Sequence, residues 1–367
     1  IRDSLLGERG QAKSRIIRSL TTLLDDEVPA IDGCPINDSP FDPICRSCID
    51  KSEEMGDTLG IAWLPREMRF SEKLATPDIS IADLIGEVDP IRVAEGRYLS
   101  DELTIHYGLV PRTNRGIFAI NELPDLPERI QVGLFNLLEE RDIQIKGYRI
   151  RLPLDVYIVA SANPEDYTNR GRIITPLKDR YGAQVRTHYP RTTEEEIEIV
   201  EQEHSRLGEL DSTIAVPQYM KEIISEITAL ARKSPDINQR SGVSVRVSIA
   251  NYETVASNAL RRALRNDEDL AVPRISDLAS IFASTAGKVE LESFEEGREP
   301  RVIEDITKKA VLNVFANYFN IRDFDSVVER FESGLEVETG SALPSAHYLG
   351  VMKEIVGLAT LLKPLKV

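Results

Sequence analysis

The sequence predicts an α/β fold, a parallel sheet flanked by helices, followed by a helical C-terminal region. Three observations carry that prediction. First, the Gly-rich turn Gly7-Glu8-Arg9-Gly10-Gln11-Ala12-Lys13-Ser14 leads straight into apolar residues at helical spacing, Ile16, Ile17, Leu20, Leu23 and Leu24. Second, the apolar run Gly116–Glu122 ends in an acid, and Val156–Asn163 has the continuous apolar character of a buried parallel strand. Third, the texture changes after Pro190. Thr192-Thr193-Glu194-Glu195 has capping-box spacing, and long amphipathic patterns follow it.

Taken in order, Ile1–Leu6 reads as a short, polar first strand. The absence of an initial Met fits a start that is truncated or disordered. The segment Asp32–Asp57, rich in Pro, Asp, Ser and Cys, predicts an irregular loop. Strand character returns at Leu59–Leu64, and Ile81, Leu84 and Ile85 predict a short helical turn before Gly86. Residues 89–115 read as an insert, with alternation at Ile91 and Val93. A helix is predicted over Asp125–Arg141, and a hairpin around Lys146-Gly147-Tyr148. Beyond Pro190 helices dominate, with breaks near Ser234–Val243 and at Pro273 and an acidic stretch at Glu290–Glu299. The expected domains are 1–190, α/β and nucleotide-binding; 191–290, helical; and 291–367, a helical extension.

The length of 367 residues suits about two to three domains. A hydrophobic content of 41% and a charged content of 29% are those of a globular protein with ample core material. No stretch approaches the roughly 18–20 apolar residues of a membrane span, and no signal-peptide pattern opens the chain, so a cytoplasmic protein is expected. Asp and Glu outnumber Lys and Arg 61 to 45, a net charge of −16. That sign opposes wholesale binding to a nucleic-acid backbone, which needs concentrated cations.

The chemistry that fits the motifs is phosphate handling. A Gly-rich turn aims successive backbone N–H groups, and the positive end of the next helix, at phosphate oxygens. Lys13 would neutralise β- and γ-phosphate charge, and the Ser14 hydroxyl would ligate Mg²⁺. Ala12 stands where the usual G-x-x-x-x-G-K-[ST] pattern has its second Gly. The strand ending in Asn121-Glu122 is expected to stand beside the loop, with Glu122 polarising the attacking water. The residue before that Glu is normally an Asp that holds Mg²⁺; Asn121 is neutral and a weaker acceptor. Asn163 would orient the water or touch the γ-phosphate. Among Arg170, Arg172 and Arg180, one could reach a neighbouring subunit's phosphate. Arg246, opening the run Val245–Leu264, could sense phosphate or be a surface charge. Taken singly, each of these residues also has a bland reading as a turn, a core strand end or a solvated charge.

Three cysteines sit together, Cys34, Cys45 and Cys48, in a chain without secretory features, which suggests reduced thiols. The Cys45-Arg46-Ser47-Cys48 spacing could hold zinc, but a structural site wants four ligands. The histidines His106, His188, His204 and His347 are all distant in sequence, so plain thiols in a Pro- and Asp-rich loop are expected.

The order Gly7…Lys13-Ser14, Asn121-Glu122, Ala162-Asn163-Pro164, Asp179-Arg180-Tyr181 and Ser244-Val245-Arg246 resembles the AAA+ ATPases. It looks most like the ATPase (I) subunit of magnesium chelatase and its MoxR-type relatives. The loop Gly-x-x-Gly-x-Ala-Lys-Ser is similar to the MoxR form, and Asp32-Gly33-Cys34-Pro35 and Gly86-Glu87-Val88-Asp89 are close to the chelatase pattern. The resemblance covers roughly the first 265 residues. It implies an AAA+ P-loop domain with an insert near 89–115, a helical lid, and a ring, typically a hexamer, with ATP and Mg²⁺ bound between subunits. Carried over, residues Gly7 to Ser14 bind nucleotide, and Ser14 and Asn121 serve Mg²⁺. Glu122 activates water, Asn163 is the first sensor, Arg180 the finger in trans and Arg246 the second sensor. The implied partners are further copies of the chain and a chelatase-like subunit or a von Willebrand A domain protein. Two alternatives stand beside the motor. One is a nucleotide-gated scaffold with little hydrolysis, which Asn121 supports. The other is a DNA-acting or transcription-regulating AAA+ protein, disfavoured by the acidic charge and the lack of a GAFTGA-like loop.

Overall fold

The computed structural model describes residues 2–89, 102–140, 142–145, 148–163, 173–292, 297–355 and 357–365. The chain divides into two compact units, Ile1–His188 and Tyr189–Val367. In chain order the first contains β1 (Arg2–Leu6), α1 (Lys13–Ser19), β2 (Glu27–Ile31), α2 (Arg46–Met55), β3 (Ile61–Pro65), β4 (Phe70–Leu74), α3 (Ile81–Leu84), β5 (Gly86–Val88) and β6 (Ile105–Tyr107). There follow α4 (Leu109–Arg112), β7 (Gly116–Asn121), α5 (Glu128–Glu140), β8 (Asp142–Ile145), β9 (Tyr148–Arg151), β10 (Val156–Ala162), α6 (Thr175–Lys178) and β11 (Ala183–Arg186).

Five strands form one sheet in the order β11-β1-β10-β7-β4, every adjacent pair parallel. The continuous apolar runs follow from burial on both faces. Ile117 and Ala119 of β7 and Val159 of β10 pack with Leu5 and Ile17 of β1 and α1. Phe118 and Ile120, with Ile158 and Ala160, turn to the opposite face against Ile130 and Leu134 of α5 and Leu177 of α6. The period of two thus serves two cores at once, which removes any polar alternation. Strand β7 shares this sheet with β1, but β10 stands between them, so the acidic strand is not the phosphate loop's immediate neighbour as expected.

Two departures lie in the first unit. Asp32–Asp57 is not wholly irregular, because it contains α2, whose Arg46 pairs with Asp50 one turn on at 2.8 Å and whose Cys48 is buried. Strands β2 and β4 escaped the sequence reading. β2 carries Pro29 and pairs only with β3, antiparallel. β4 (Phe-Ser-Glu-Lys-Leu) is the sheet's edge strand, where polar side chains are tolerated. The antiparallel pair β5–β6 encloses the first part of the expected insert at 89–115, of which 90–101 lie outside the described residues. The expected hairpin is β8–β9, although its turn residues 146 and 147 also lie outside them.

The second unit contains α7 (Thr193–Glu203), α8 (Gln218–Ala231), α9 (Arg246–Asn266), α10 (Phe282–Ala286), α11 (Arg298–Tyr318), α12 (Asp325–Glu332), α13 (Ser345–Glu354) and α14 (Leu358–Leu361). Met220, Ile223, Ile224 and Ile227 form one stripe of α8 and meet Val255 of α9 together with Ala310 and Val314 of α11. Helices on either side of residue 291 therefore share one core. Thr192 caps α7 by accepting from the Glu195 N–H at 3.2 Å. The Glu195 carboxylate reaches back to the Arg191 N–H at 2.7 Å, one residue beyond the Thr192 N–H that a capping box would use. Two buried ion pairs join helices here. Arg232 meets Glu196 at 2.6 Å, and Arg262 meets Asp277 at 2.6 Å. Among the described residues no helix is long and apolar enough to cross a membrane.

Candidate nucleotide site

Register brings the predicted residues to one edge of the sheet. Leu6 lies opposite Ala162 in the β1–β10 pair, so Gly7 and Asn163 emerge side by side from the C-terminal ends of neighbouring strands. The Gly7 N–H donates to the Ala162 carbonyl at 3.2 Å. Ile120 lies opposite Ala160, which carries Asn121 and Glu122 to the same edge from β7. In open parallel sheets this edge is where ligands bind.

The loop from Gly7 to Ala12 is held by its own side chains. Gln11 is buried, and its Oε1 accepts from the Glu8 N–H at 3.1 Å and from Thr187 Oγ1 at 2.7 Å. A Cβ on Gly7 would lie 1.9 Å from Thr187 Oγ1, so glycine is required for this close approach. Gly10 has φ +75° and Ala12 has φ +55°. The second value is the left-handed conformation the usual Gly would adopt freely, and here it is held by an alanine at a cost of about 1 kcal/mol.

The Lys13 ammonium turns into the loop. It donates to the Gly7 and Glu8 carbonyls, the latter at 2.8 Å, and to Asn163 Oδ1 at 2.6 Å. Asn163 is buried. Lys13 and Asn163, which are 150 positions apart, thus form a direct contact between the phosphate loop and the end of β10. Ser14 follows in the first turn of α1, half-buried; Arg9 is exposed at the loop's tip.

Asn121 and Glu122 differ in character. Asn121 is buried; its amide N–H donates to the Glu72 carboxylate on β4, and its Oδ1 accepts from Ser161 Oγ at 3.1 Å. Glu72 also receives Arg18 of α1, Nε to Oε2 at 2.7 Å. This contact raises the Arg18 pKa, through the hydrogen bond first and the charge second. Glu122 is half-exposed, with its backbone at φ +55° and its N–H donating to Ser161 Oγ at 3.2 Å. A non-glycine held in that region at the end of a core strand is local strain of the kind that collects at working sites. Sequence reading missed Glu72, Ser161 and Thr187. Glu72 and Thr187 lie outside any recognised motif, and Ser161 looked like filler in an apolar run.

Arg180 follows α6, partly exposed, with Nη1 3.9 Å from Asp179 Oδ2. Arg170 and Arg172 lie outside the described residues, as does Pro164. Arg246 opens α9 of the second unit with an exposed side chain, its N–H accepted by Ser244 Oγ at 3.1 Å.

Comparison with known proteins bears on the chain as a whole. Residues 95–177 match the model of the Sigma-54 interaction domain. The chain is 24% identical to the magnesium-chelatase subunit ChlI of Anabaena variabilis, over 92% of this chain and 97% of that protein. It is also 27% identical to the magnesium-chelatase 38 kDa subunit of Cereibacter sphaeroides, over 53% of this chain and 54% of that one. This chain is an AAA+ ATPase resembling the magnesium-chelatase I subunit. Among solved structures it is similar to a chain from the complex of magnesium-chelatase subunits BchI and BchD. The identity is 20%, the cover 82% of this chain and 90% of that one, and the TM-score 0.40.

Proposed function

We propose that this ATPase binds Mg²⁺·ATP at the C-terminal edge of the sheet and hydrolyses it between subunits of a ring, most simply a hexamer. Turnover would drive metal chelation or the remodelling of a partner protein. The observation that carries the reading is the convergence of Lys13, Asn163, Asn121 and Glu122 at the ends of β1, β10 and β7. In this reading the N–H groups of Gly7 to Ala12 and the Lys13 ammonium hold the phosphates. Lys13 would exchange its loop carbonyls for phosphate oxygens while Asn163 keeps it aligned. Glu122 takes the proton of the attacking water.

The donor set suits a hard divalent cation bound mainly through phosphate and water. Ser14 offers a hydroxyl, and Asn121 brings the Glu72 carboxylate to the same strand end. When bound, Mg²⁺ would draw charge from the β- and γ-phosphate oxygens. Arg180 is proposed to reach the ATP of the adjacent subunit, and Arg246 to sense the γ-phosphate from the helical unit, which would act as a lid. A chelatase-like subunit is the proposed partner, because a relative spanning nearly the whole chain is a magnesium-chelatase subunit. A partner with a von Willebrand A domain is the variant of this reading that the MoxR likeness implies, and a cytoplasmic setting suits both. A transcription-regulating role gains little from the Sigma-54 match, whose span covers β7 and β10 but neither the phosphate loop nor the second unit.

Mg²⁺-dependent ATP turnover of the protein and of Glu122→Gln, with molecular mass followed by light scattering, tests the proposal. Loss of turnover by about 10²-fold or more in the variant, with ATP-dependent assembly kept, is the expected result. Equal turnover in both proteins would remove Glu122 from its role, and assembly without turnover in either would favour the nucleotide-gated scaffold.

A further inference from the structure

The plain-thiol expectation for the cysteines overlooked a fourth donor. Cys34, Asp38, Cys45 and Cys48 converge so that one ligand atom from each lies within 4.8 Å of all the others. A tetrahedral Zn²⁺ with Zn–S near 2.3 Å needs sulfurs about 3.8 Å apart, so the cluster is already close to ligand spacing. Cys45, Cys48 and Asp38 are buried, and Cys34 is partly so.

The backbone around these groups is arranged as around a metal. The Ile36 and Asp38 N–H groups point at Cys34 Sγ, at 3.5 and 3.3 Å. Those from Ile44 and Cys45 donate to Asp38 Oδ2, at 3.1 and 2.9 Å. Such donors orient and stabilise anionic ligands. Asp38 Oδ1, fully buried beside three sulfurs, has no hydrogen-bond partner among the described residues. A buried carboxylate oxygen left unpaired carries an uncompensated desolvation penalty, which a bound cation would remove.

We propose that Cys34, Asp38, Cys45 and Cys48 form a structural Zn²⁺ site of three thiolates and one carboxylate. Its place in the fold says what it would do. The four residues lie in the long connection between β2 and β3, which has only α2 for regular helix and packs on the sheet's main core. The same loop is tied to the approach to β7. Asn37 Nδ2 donates to the Arg112 carbonyl at 2.8 Å, and Arg115 Nη1 donates to the Asn37 carbonyl at 3.4 Å as well as to the Pro29 carbonyl of β2 at 2.6 Å. Zinc would therefore clamp the loop that buttresses the strand carrying Asn121 and Glu122. All four positions are filled by protein, which makes the site closed and structural.

The test is metal analysis of the full-length protein purified under reducing conditions, with Co²⁺ substitution and melting with and without a chelator. About one zinc per chain is expected. Co²⁺ should give thiolate charge-transfer bands and the intense visible bands of a tetrahedral ion, and the chelator should lower Tm. Cys48→Ser and Asp38→Asn should each weaken zinc binding by about 10-fold or more in competition with a metallochromic chelator. Should Cys48→Ser fail to fold, the wild-type cobalt spectrum still decides the donor set. Three free thiols with no bound zinc after reconstitution would overturn the proposal. So would a disulfide between two of the cysteines, iron–sulfur absorption, or zinc retained in full by both variants.

Discussion

Asn121→Asp restores the acid that AAA+ strands usually carry before their catalytic Glu, yet here it should harm the isolated protein. The Asn121 amide donates to Glu72, so the variant sets one carboxylate against another. Two unit charges about 4 Å apart repel by roughly 4 kcal/mol at an effective dielectric of about 20. The charge-assisted hydrogen bond that disappears was worth about 1.5–3 kcal/mol. Arg18 returns little of this, because its side chain is 63% exposed and an exposed pair contributes less than about 1 kcal/mol. A net loss of about 2–4 kcal/mol at pH 8 follows, after side-chain relaxation and counter-ions take their share. In the variant the facing carboxylates can share a proton, so the folded state binds it more tightly than the unfolded chain does. Stability is then held at low pH and lost as pH rises above the ordinary carboxylate range, and the deficit should shrink by pH 5. Urea denaturation of the wild type, Asn121→Asp, Glu72→Gln and the double variant at both pH values, without nucleotide, measures the coupling directly. Adding Mg²⁺·ATP should recover part of the loss. An Asn121→Asp protein as stable as the wild type at pH 8, or a double variant no better than Asn121→Asp, would refute the argument from the Glu72 contact.

Two further variants probe the packing that holds the fold. Arg262→Ala should cost about 3–5 kcal/mol in urea denaturation, because it strands Asp277, which is fully buried and bound by Arg262, Asn258 and the Arg274 N–H. A loss below 1 kcal/mol would show that water replaces the guanidinium. Ala12→Gly should stabilise by about 0.5 kcal/mol, since relief at φ +55° slightly exceeds the added freedom of the unfolded chain. A destabilised variant would mean that the Ala12 methyl is needed for packing.

The elements that were readable from sequence share a physical cause. β7 and β10 are buried on both faces, so their composition alone marks them, and Lys13-Ser14 sits at the one turn that chemistry constrains. The helices beyond Pro190 were likewise visible as amphipathic patterns, because a helix that buries one face must repeat apolar residues at that spacing, as Met220, Ile223, Ile224 and Ile227 do in α8. β4 was hidden because an edge strand can be polar, and Glu72 was hidden with it. Without Glu72, Asn121 reads as a lost acid. Beside Glu72 it is an amide that brings a carboxylate to the same place from the neighbouring strand, and no motif on one strand can express that.

The metal cluster was hidden for a different reason. Ligand counting along the sequence ran out at three cysteines because the histidines lie far away, and carboxylates are too common for one to stand out by spacing. What selects Asp38 is the turn after β2. The Cys34 N–H donates to the Ile31 carbonyl and the Ile31 N–H donates to the Asp38 carbonyl, closing a short loop that leads to the start of α2. There Cys45 caps the helix and Cys48 follows one turn later, its N–H bonded to the Cys45 carbonyl at 3.0 Å. Two ligands thus come from a turn and two from a helix start. A pair of that kind fixes its members relative to each other but not relative to the second pair, so only the folded packing of loop on helix brings four donors together. A loop that needed no ion would more cheaply fill this core with apolar side chains than bury Asp38 with an oxygen unpaired.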